Sequence, residues 1–410
     1  MSLNDTPRSE RVHIALFGMR NAGKSSIINA LTNQEIAIVS EVKGTTTDPV
    51  YKAMEILPIG PCVIIDTAGL DDVGTLGELR KKKTLEVLNK TNIALVVIDS
   101  SIGLTDYDKF IIQQIKDKKV PVIAVLNKSD KLDTNELLME GLKKQLDIPF
   151  VPVSAITKQG VKELKDKIIS VIPLEEEKFK ILGDLISPGD FVVLVTPIDK
   201  AAPKGRLILP QQQTIRDILE SDAIAIVTKE HELRQTLESL GKKPSLVITD
   251  SQVFLKVAAD TPKDIPMTSF SILFARYKGD LVELIKGVKA VEKLKDGDKV
   301  LISEGCTHHQ QADDIGKVKI PRWLRQITGK QIDFEYTSGI TFTEDVKRYS
   351  LIIHCGACML NRTAMLNRIE SAKEFNVPIV NYGILIAYVQ GILDRALEPF
   401  PLAKMLWEEK

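Results

Sequence analysis

Short apolar runs separated by longer amphipathic stretches set the rhythm of the chain from Arg11 to Pro173. The runs His13–Phe17, Cys62–Asp66, Ala94–Asp99, Val122–Asn127 and Phe150–Val153 have strand length, and the segments between them carry helical spacing. This alternation predicts βαβ units, a mostly parallel sheet and helices on both of its faces. Glu175-Glu176-Glu177-Lys178 reads as a charged linker. A second alternating region follows, with strands predicted at Phe191–Val195, Ala223–Val227, Leu246–Thr249 and Met267–Ser269 and helices over Thr214–Glu220, His231–Leu240 and Ser251–Ala258. The loop Asp199–Pro210 interrupts it; long irregular loops in compact domains are usually functional or face a partner. A third region predicts strands at Lys299–Ser303, Gln331–Tyr336, Leu351–His354 and Val377–Asn381. The pattern as a whole is that of an α/β chain in three domains, 1–174, 175–270 and 271–410, with parallel strands in the last.

Length agrees, since 410 residues at about 100–200 per domain make two to four domains. Lys+Arg and Asp+Glu balance at 55 each, so no overall basic field draws the chain to nucleic acid or anionic lipid. Arg80-Lys81-Lys82-Lys83 reads as one solvated helix face. Met1–Glu10 is polar and lacks the apolar core of a signal peptide, and the longest apolar runs are far too short to span a bilayer. The expectation is a cytoplasmic protein with neither membrane nor nucleic acid as partner.

Gly18-Met19-Arg20-Asn21-Ala22-Gly23-Lys24-Ser25 follows the first strand and opens a helix, which is GxxxxGKS in its confirming context. Backbone N–H groups of Gly18 to Ser26 and the helix N-terminus would cradle phosphates. Lys24 would reach the β- and γ-phosphates, and the Ser25 hydroxyl would bind Mg²⁺. Asp66-Thr67-Ala68-Gly69 ends another strand; Asp66 would hold the Mg²⁺ shell and the Gly69 N–H the γ-phosphate. Asn127-Lys128-Ser129-Asp130 and Ser154-Ala155 close two further strands and would read the base. The Asp130 carboxylate matches the N1 and N2 donors of guanine, a pair adenine lacks. These four elements in this order describe GTP with Mg²⁺ as ligand and a GTPase as the activity. They resemble the TrmE–Era branch of translation-factor-like GTPases. Gly44-Thr45-Thr46-Thr47-Asp48 is similar to that branch's Gly-Thr-Thr-Arg-Asp, with Thr47 in place of Arg, and implies Thr46 or a neighbouring threonine as a second Mg²⁺ ligand. Asn21 matches the asparagine that binds K⁺ beside the phosphates in potassium-activated members. Leu70 stands where Ras-like enzymes carry a water-orienting Gln, so slow hydrolysis stimulated by K⁺ is expected. Lys24, Asn21, Thr46 and Gly69 are the expected catalytic set.

Three of the four cysteines and three of the five histidines fall in one broken pattern, Cys306-Thr307-His308-His309 and His354-Cys355-Gly356-Ala357-Cys358. The fourth, Cys62, lies in an apolar run and reads as a small buried hydrophobe. His13, in the first strand, reads as a core or edge residue. Cys306 and Cys355 each follow a strand, so the carboxyl edge of one parallel sheet would bring Cys306, Cys355 and Cys358 together. By spacing alone, zinc with a histidine as fourth ligand and an iron–sulfur cluster with an exchangeable fourth position stand level. His354 would point opposite to Cys355 by strand alternation and could serve as a donor near the site. His308, two residues from Cys306, is the favoured fourth ligand.

Cys-x-His and His-Cys-x-x-Cys behind a TrmE–Era-like GTPase resemble the HydF family of iron-iron hydrogenase maturation GTPases, over the whole chain. The loop Ala202–Pro210 is also similar to that family's middle domain. The resemblance implies a GTPase domain, a dimerisation domain pairing two chains, and a domain holding a 4Fe-4S cluster through Cys306, Cys355 and Cys358. It further implies a scaffold and carrier for the diiron subcluster. The radical-SAM maturases HydE and HydG stand upstream, and apo iron-iron hydrogenase receives the cargo. GTP hydrolysis would gate partner exchange. The competing reading is a ribosome- or tRNA-associated GTPase with a zinc-stabilised recognition domain.

Overall fold

The computed structural model describes residues 6–32, 49–67, 75–131, 146–172, 180–197, 207–305, 314–339, 342–343 and 345–409. They fall into two compact units, Met1–Glu175 and Glu176–Lys410.

The first unit is built on a six-stranded sheet in the order β2-β3-β1-β4-β5-β6. Its strands are β1 Val12–Phe17, β2 Val50–Ile56, β3 Gly60–Asp66, β4 Ile93–Asp99, β5 Val122–Asn127 and β6 Phe150–Val153. All pairs are parallel except β2 with β3. Strand residues alternate between two apolar clusters, one on each face. Ile14, Leu16, Ile64, Leu95 and Val97 go to one, and Ala15, Phe17, Val63, Ile65 and Val96 to the other. Burial on both faces is why these strands read as continuous apolar runs. The helix Asp106–Asp117 covers one face with Ile111, Ile112 and Ile115, and Thr105 and Asp108 close a reciprocal capping box at its start. The strand β2, absent from the sequence reading, is an edge strand with an exposed Val50 and only Met54 and Ile56 buried. Cys62 is buried, as its apolar run implied, and His13 is buried with its Nδ1 on the Arg11 carbonyl at 2.9 Å.

The second unit holds two four-stranded sheets. One orders β10-β9-β7-β8, from β7 Phe191–Val195, β8 Ile224–Thr228, β9 Leu246–Thr249 and β10 Met267–Ser269. The other orders β12-β11-β13-β14, from β11 Lys299–Glu304, β12 Asp333–Ser338, β13 Leu351–His354 and β14 Ile379–Asn381. All their pairs are parallel. A single apolar cluster runs through both, from Val193 and Ile248 to Ile302 and Ile353. The helix Phe270–Lys278 follows β10 directly and packs against both the helix Leu209–Glu220 and the helix Arg362–Glu374. Among the described residues no helix is long and apolar enough to cross a membrane.

Candidate functional site: a nucleotide cradle and a cysteine loop

The cradle begins where β1 ends. Gly18 has φ +141°, and a Cβ there would lie 2.3 Å from the Val97 carbonyl oxygen, so the turn accepts only glycine. Asn21 has φ +61° and is exposed at the crest of the loop. Lys24 is buried, and its Nζ donates to the carbonyls of Gly18 at 2.8 Å and Met19 at 2.9 Å, arching over the loop it belongs to. The Ser25 hydroxyl donates to Asp66 Oδ2 at 2.6 Å. A hydroxyl and a carboxylate facing each other at a helix N-terminus form the donor set a hard divalent cation such as Mg²⁺ takes. Ala22 is buried behind the loop and Ser26 is exposed in the first helical turn.

The base-side motifs meet the cradle through Asn127. Its Nδ2 donates to the Ala22 carbonyl at 2.8 Å, and its Oδ1 accepts from the Ala155 N–H at 3.3 Å. Asn127 therefore joins the phosphate loop to the Ser154-Ala155 motif. Ser154 is wholly buried and its hydroxyl accepts from the Thr157 N–H at 3.2 Å. Asp130 is exposed in the short helix Ser129–Lys131. Lys128, at φ +62°, pairs with Asp99 at the end of β4. Burial pushes the Asp99 carboxyl up, but hydrogen bonds from Lys128 and Ser101 outweigh it and hold the group below its ordinary value. The sequence reading passed over Asp99, as no motif spacing marks it. Thr46, Gly69 and Leu70 lie outside the described residues.

The second site forms at the carboxyl edge of the β12-β11-β13-β14 sheet. β11 and β13 are parallel neighbours with Ser303 opposite His354. The Cys355 N–H donates to the Ser303 carbonyl at 3.0 Å, and the Gly305 N–H donates to Cys355 Sγ at 3.0 Å. Cys355 and Cys358 are half-buried, and Ala357 between them takes φ +54°. Burial pushes the Cys358 thiol up, and the Lys278 ammonium opposes it. Cys306, His308 and His309 lie outside the described residues. Among the described residues no three His, Cys, Asp or Glu side chains converge as a metal-binding group.

His354 is wholly buried. Its Nδ1 lies 2.8 Å from the Cys355 carbonyl and its Nε2 2.7 Å from Arg368 Nη1. Only a ring with a proton on Nδ1 and none on Nε2 satisfies both contacts. Burial and the Arg368 charge push its pKa down to about 3, so the ring is neutral. Both nitrogens are engaged within the fold. Arg368 is itself buried, reaches the Gly339 carbonyl at 3.0 Å and lies 5.1 Å from the Phe342 ring centre. Lys278 and Arg368, two buried cations behind the cysteine loop, were invisible in the sequence, where each reads as an ordinary helix-surface charge.

The fold and the first of these sites define a P-loop GTPase domain followed by an α/β unit that carries a cysteine loop. Family models match in the same arrangement: "50S ribosome-binding GTPase" over residues 13–128, "Hydrogen maturase F dimerization domain" over 181–279 and "Hydrogen maturase F tetramerization domain" over 282–399. The chain belongs to the hydrogen maturase F family, HydF, and its two oligomerization domains occupy most of the second unit. Relatives of the GTPase part include the tRNA modification GTPase MnmE of Moorella thermoacetica, 35% identical over 170 residues, which are 40% of this chain and 36% of that protein. The MnmE of Desulforamulus reducens is 36% identical over 252 residues, 60% of this chain and 50% of that protein. The chain thus spans between 36% and 50% of the length of these curated relatives. A crystal structure of an Aquifex aeolicus Era variant with GDP and aluminium fluoride is 21% identical at a TM-score of 0.36, covering 56% of this chain and 98% of that one.

Proposed function

We propose that this chain is a scaffold and carrier in the maturation of iron-iron hydrogenase, and that its GTP hydrolysis times the exchange of partners. The observation that carries the reading is the 3.0 Å contact between the Gly305 N–H and Cys355 Sγ. It sets the residue just before Cys306 on a thiol of the Cys-x-x-Cys loop, in a chain whose residues 181–399 match the hydrogen maturase models. The donor set fits a 4Fe-4S cluster. Soft thiols, a backbone N–H on sulfur and buried cations all favour a cluster of thiolate-bound iron, which is anionic. Cys306, Cys355 and Cys358 would hold it, with His308 as fourth ligand; His354 is committed to Arg368 and the Cys355 carbonyl. When bound, the cluster supplies an iron that no thiolate of this chain occupies.

The remaining roles follow the same reading. The domains run 1–174, 175–270 and 271–410, for GTPase, dimerisation and cluster binding. Two chains pair through the middle domain, in the cytoplasm. HydE and HydG supply the diiron subcluster, which is cargo, and apo-hydrogenase receives it. In the cradle, Ser25, Asp66 and Thr46 hold Mg²⁺, Asn21 holds K⁺ and Gly69 contacts the γ-phosphate, while Asn127, Lys128, Asp130 and Ser154-Ala155 take the base.

Anaerobic reconstitution with iron and sulfide tests this directly. Brown protein with about four irons per chain is expected. Each of Cys306→Ala, Cys355→Ala and Cys358→Ala should remove the colour and leave GTP hydrolysis intact. Colourless protein holding one zinc per chain would reverse the choice in favour of a ribosome- or tRNA-associated GTPase. Hydrolysis should be faster in K⁺ than in Na⁺, and equal rates would remove K⁺ from Asn21. Partner release that is indifferent to GTP, GDP and no nucleotide would end the gating role.

A further inference from the structure

The helix Phe270–Lys278 lies inside the segment matched by the dimerization model, yet it meets the cysteine loop along its length. At its end, Lys278 is 1% exposed, and its Nζ donates to the carbonyls of Leu360 at 2.8 Å and Cys358 at 3.2 Å. Phe274, one turn earlier, has its ring 5.9 Å from the same ammonium. Two turns before Lys278, Ser271 lies 3.7 Å from where a Cβ on Gly356 would sit, and its carbonyl accepts from Asn381 Nδ2 at 2.9 Å. Gly383 passes so close that a Cβ there would fall 2.4 Å from Ser271 Cβ. Arg362 Nη1 closes the helix terminus on the Tyr277 carbonyl at 2.6 Å.

The loop needs such support. Ala357 holds a left-handed conformation at φ +54° that costs an alanine about 1–2 kcal/mol. Within the loop, the Leu360 N–H bonds the Ala357 carbonyl at 3.0 Å. A charged donor on the carbonyls of Cys358 and Leu360 fixes the orientation of both peptide groups on the far side of Ala357, and with them the direction of the Cys358 side chain.

We propose that Lys278 is the positioning residue through which the helix Phe270–Lys278 holds the Cys355–Leu360 loop in its ligand-presenting shape. The clamp rests on the reading of this loop as the cluster site. It makes thiol geometry depend on a helix that belongs to the oligomerization part of the chain.

The test uses the full-length protein before iron is added. Lys278→Met keeps the apolar stem and removes the ammonium; Lys278→Arg keeps a charged donor. The readouts are amide exchange over residues 356–360 and iodoacetamide alkylation of Cys355 and Cys358, followed by mass spectrometry. Lys278→Met should speed both by about tenfold, the scale of losing hydrogen bonds from a charged donor. Exchange in β7 and β9, and GTP hydrolysis, should stay as in the parent protein. Lys278→Arg should recover at least half of the lost protection. If Lys278→Met does not fold, Lys278→Gln is read in the same way. Parental rates at the loop in the neutral variant overturn the clamp, and so does an equal loosening of the whole of 176–410. The cluster reading fails separately, if the parent protein takes up no iron while the variant's loop still loosens.

Discussion

Asn127→Asp separates the two halves of the joint that ties the base motifs to the phosphate loop. The two side chains have the same shape, so packing around this residue, 2% exposed, is preserved. An Asp oxygen still accepts from the Ala155 N–H, the bond that measures 3.3 Å in Asn127. The other half inverts. Where Nδ2 donates to the Ala22 carbonyl at 2.8 Å, a carboxylate oxygen now faces a carbonyl oxygen. The lost bond is worth about 1 kcal/mol, and a buried carbonyl left unsatisfied costs about 1–3 kcal/mol more. Ala22 precedes Gly23, whose φ of +92° belongs to the loop that would wrap the phosphates. If 2–4 kcal/mol appears in nucleotide binding, affinity falls by about 30-fold to several hundredfold. Titration of a fluorescent GDP analogue measures it. Gly23→Ala strikes the same joint from the other side, since its Cβ would lie 2.1 Å from Asn127 Nδ2, and should give a loss of similar size. An affinity within threefold of the parent in Asn127→Asp, with unchanged thermal stability, refutes the joint.

Two further predictions concern stability, one in each unit. Burial pushes His13 down to about 4, from an ordinary value of 6.5. The unfolded chain therefore binds the extra proton between those values, and stability present above pH 6.5 drains away as pH falls toward 4. The loss should reach about 2 kcal/mol by pH 5; thermal melts of the GTPase unit measure it, and His13→Leu should flatten that part of the profile. In the second unit, Arg395 donates to the carbonyls of Ala258 at 2.6 Å and of Thr261 and Pro262 at 2.8 Å each. Arg395→Met should cost about 2–4 kcal/mol in denaturant unfolding of residues 176–410 and leave GTP hydrolysis unchanged; a loss below 0.5 kcal/mol would mean the carbonyls find water instead.

What the sequence disclosed follows from how local each signal is. The strands β1, β4 and β5 were legible because burial on both faces makes a continuous apolar run. The edge strand β2 was not, because only its last residues are buried and the rest carry edge polarity. Strand alternation predicted His354 opposite Cys355, but the fate of its ring depended on Arg368, a helix residue with no pattern to announce it. Asp99 and Lys278 escaped for the same reason: a carboxylate at a strand end and a lysine at a helix end have default readings on the surface. A buried partner reverses those readings.

The cysteine loop shows how a non-local site can nevertheless be inferred from two strands. Val300, Leu301 and Ile302 stand opposite Leu351, Ile352 and Ile353, and all six are at most 1% exposed. A slip of one residue would turn each of these side chains to the other face of the sheet. A slip of two would carry Cys355 about 7 Å along the strand, at roughly 3.3 Å per residue, and away from the Gly305 N–H. Six aliphatic side chains with no chemistry of their own therefore decide whether the Gly305 N–H reaches the Cys355 sulfur. Parallel pairing adds the rest, because both strands deliver their following residues to the same edge. Only the last adjustment, the left-handed Ala357 and the carbonyls it turns toward Lys278, comes from outside that sheet, which is where sequence spacing stops carrying information.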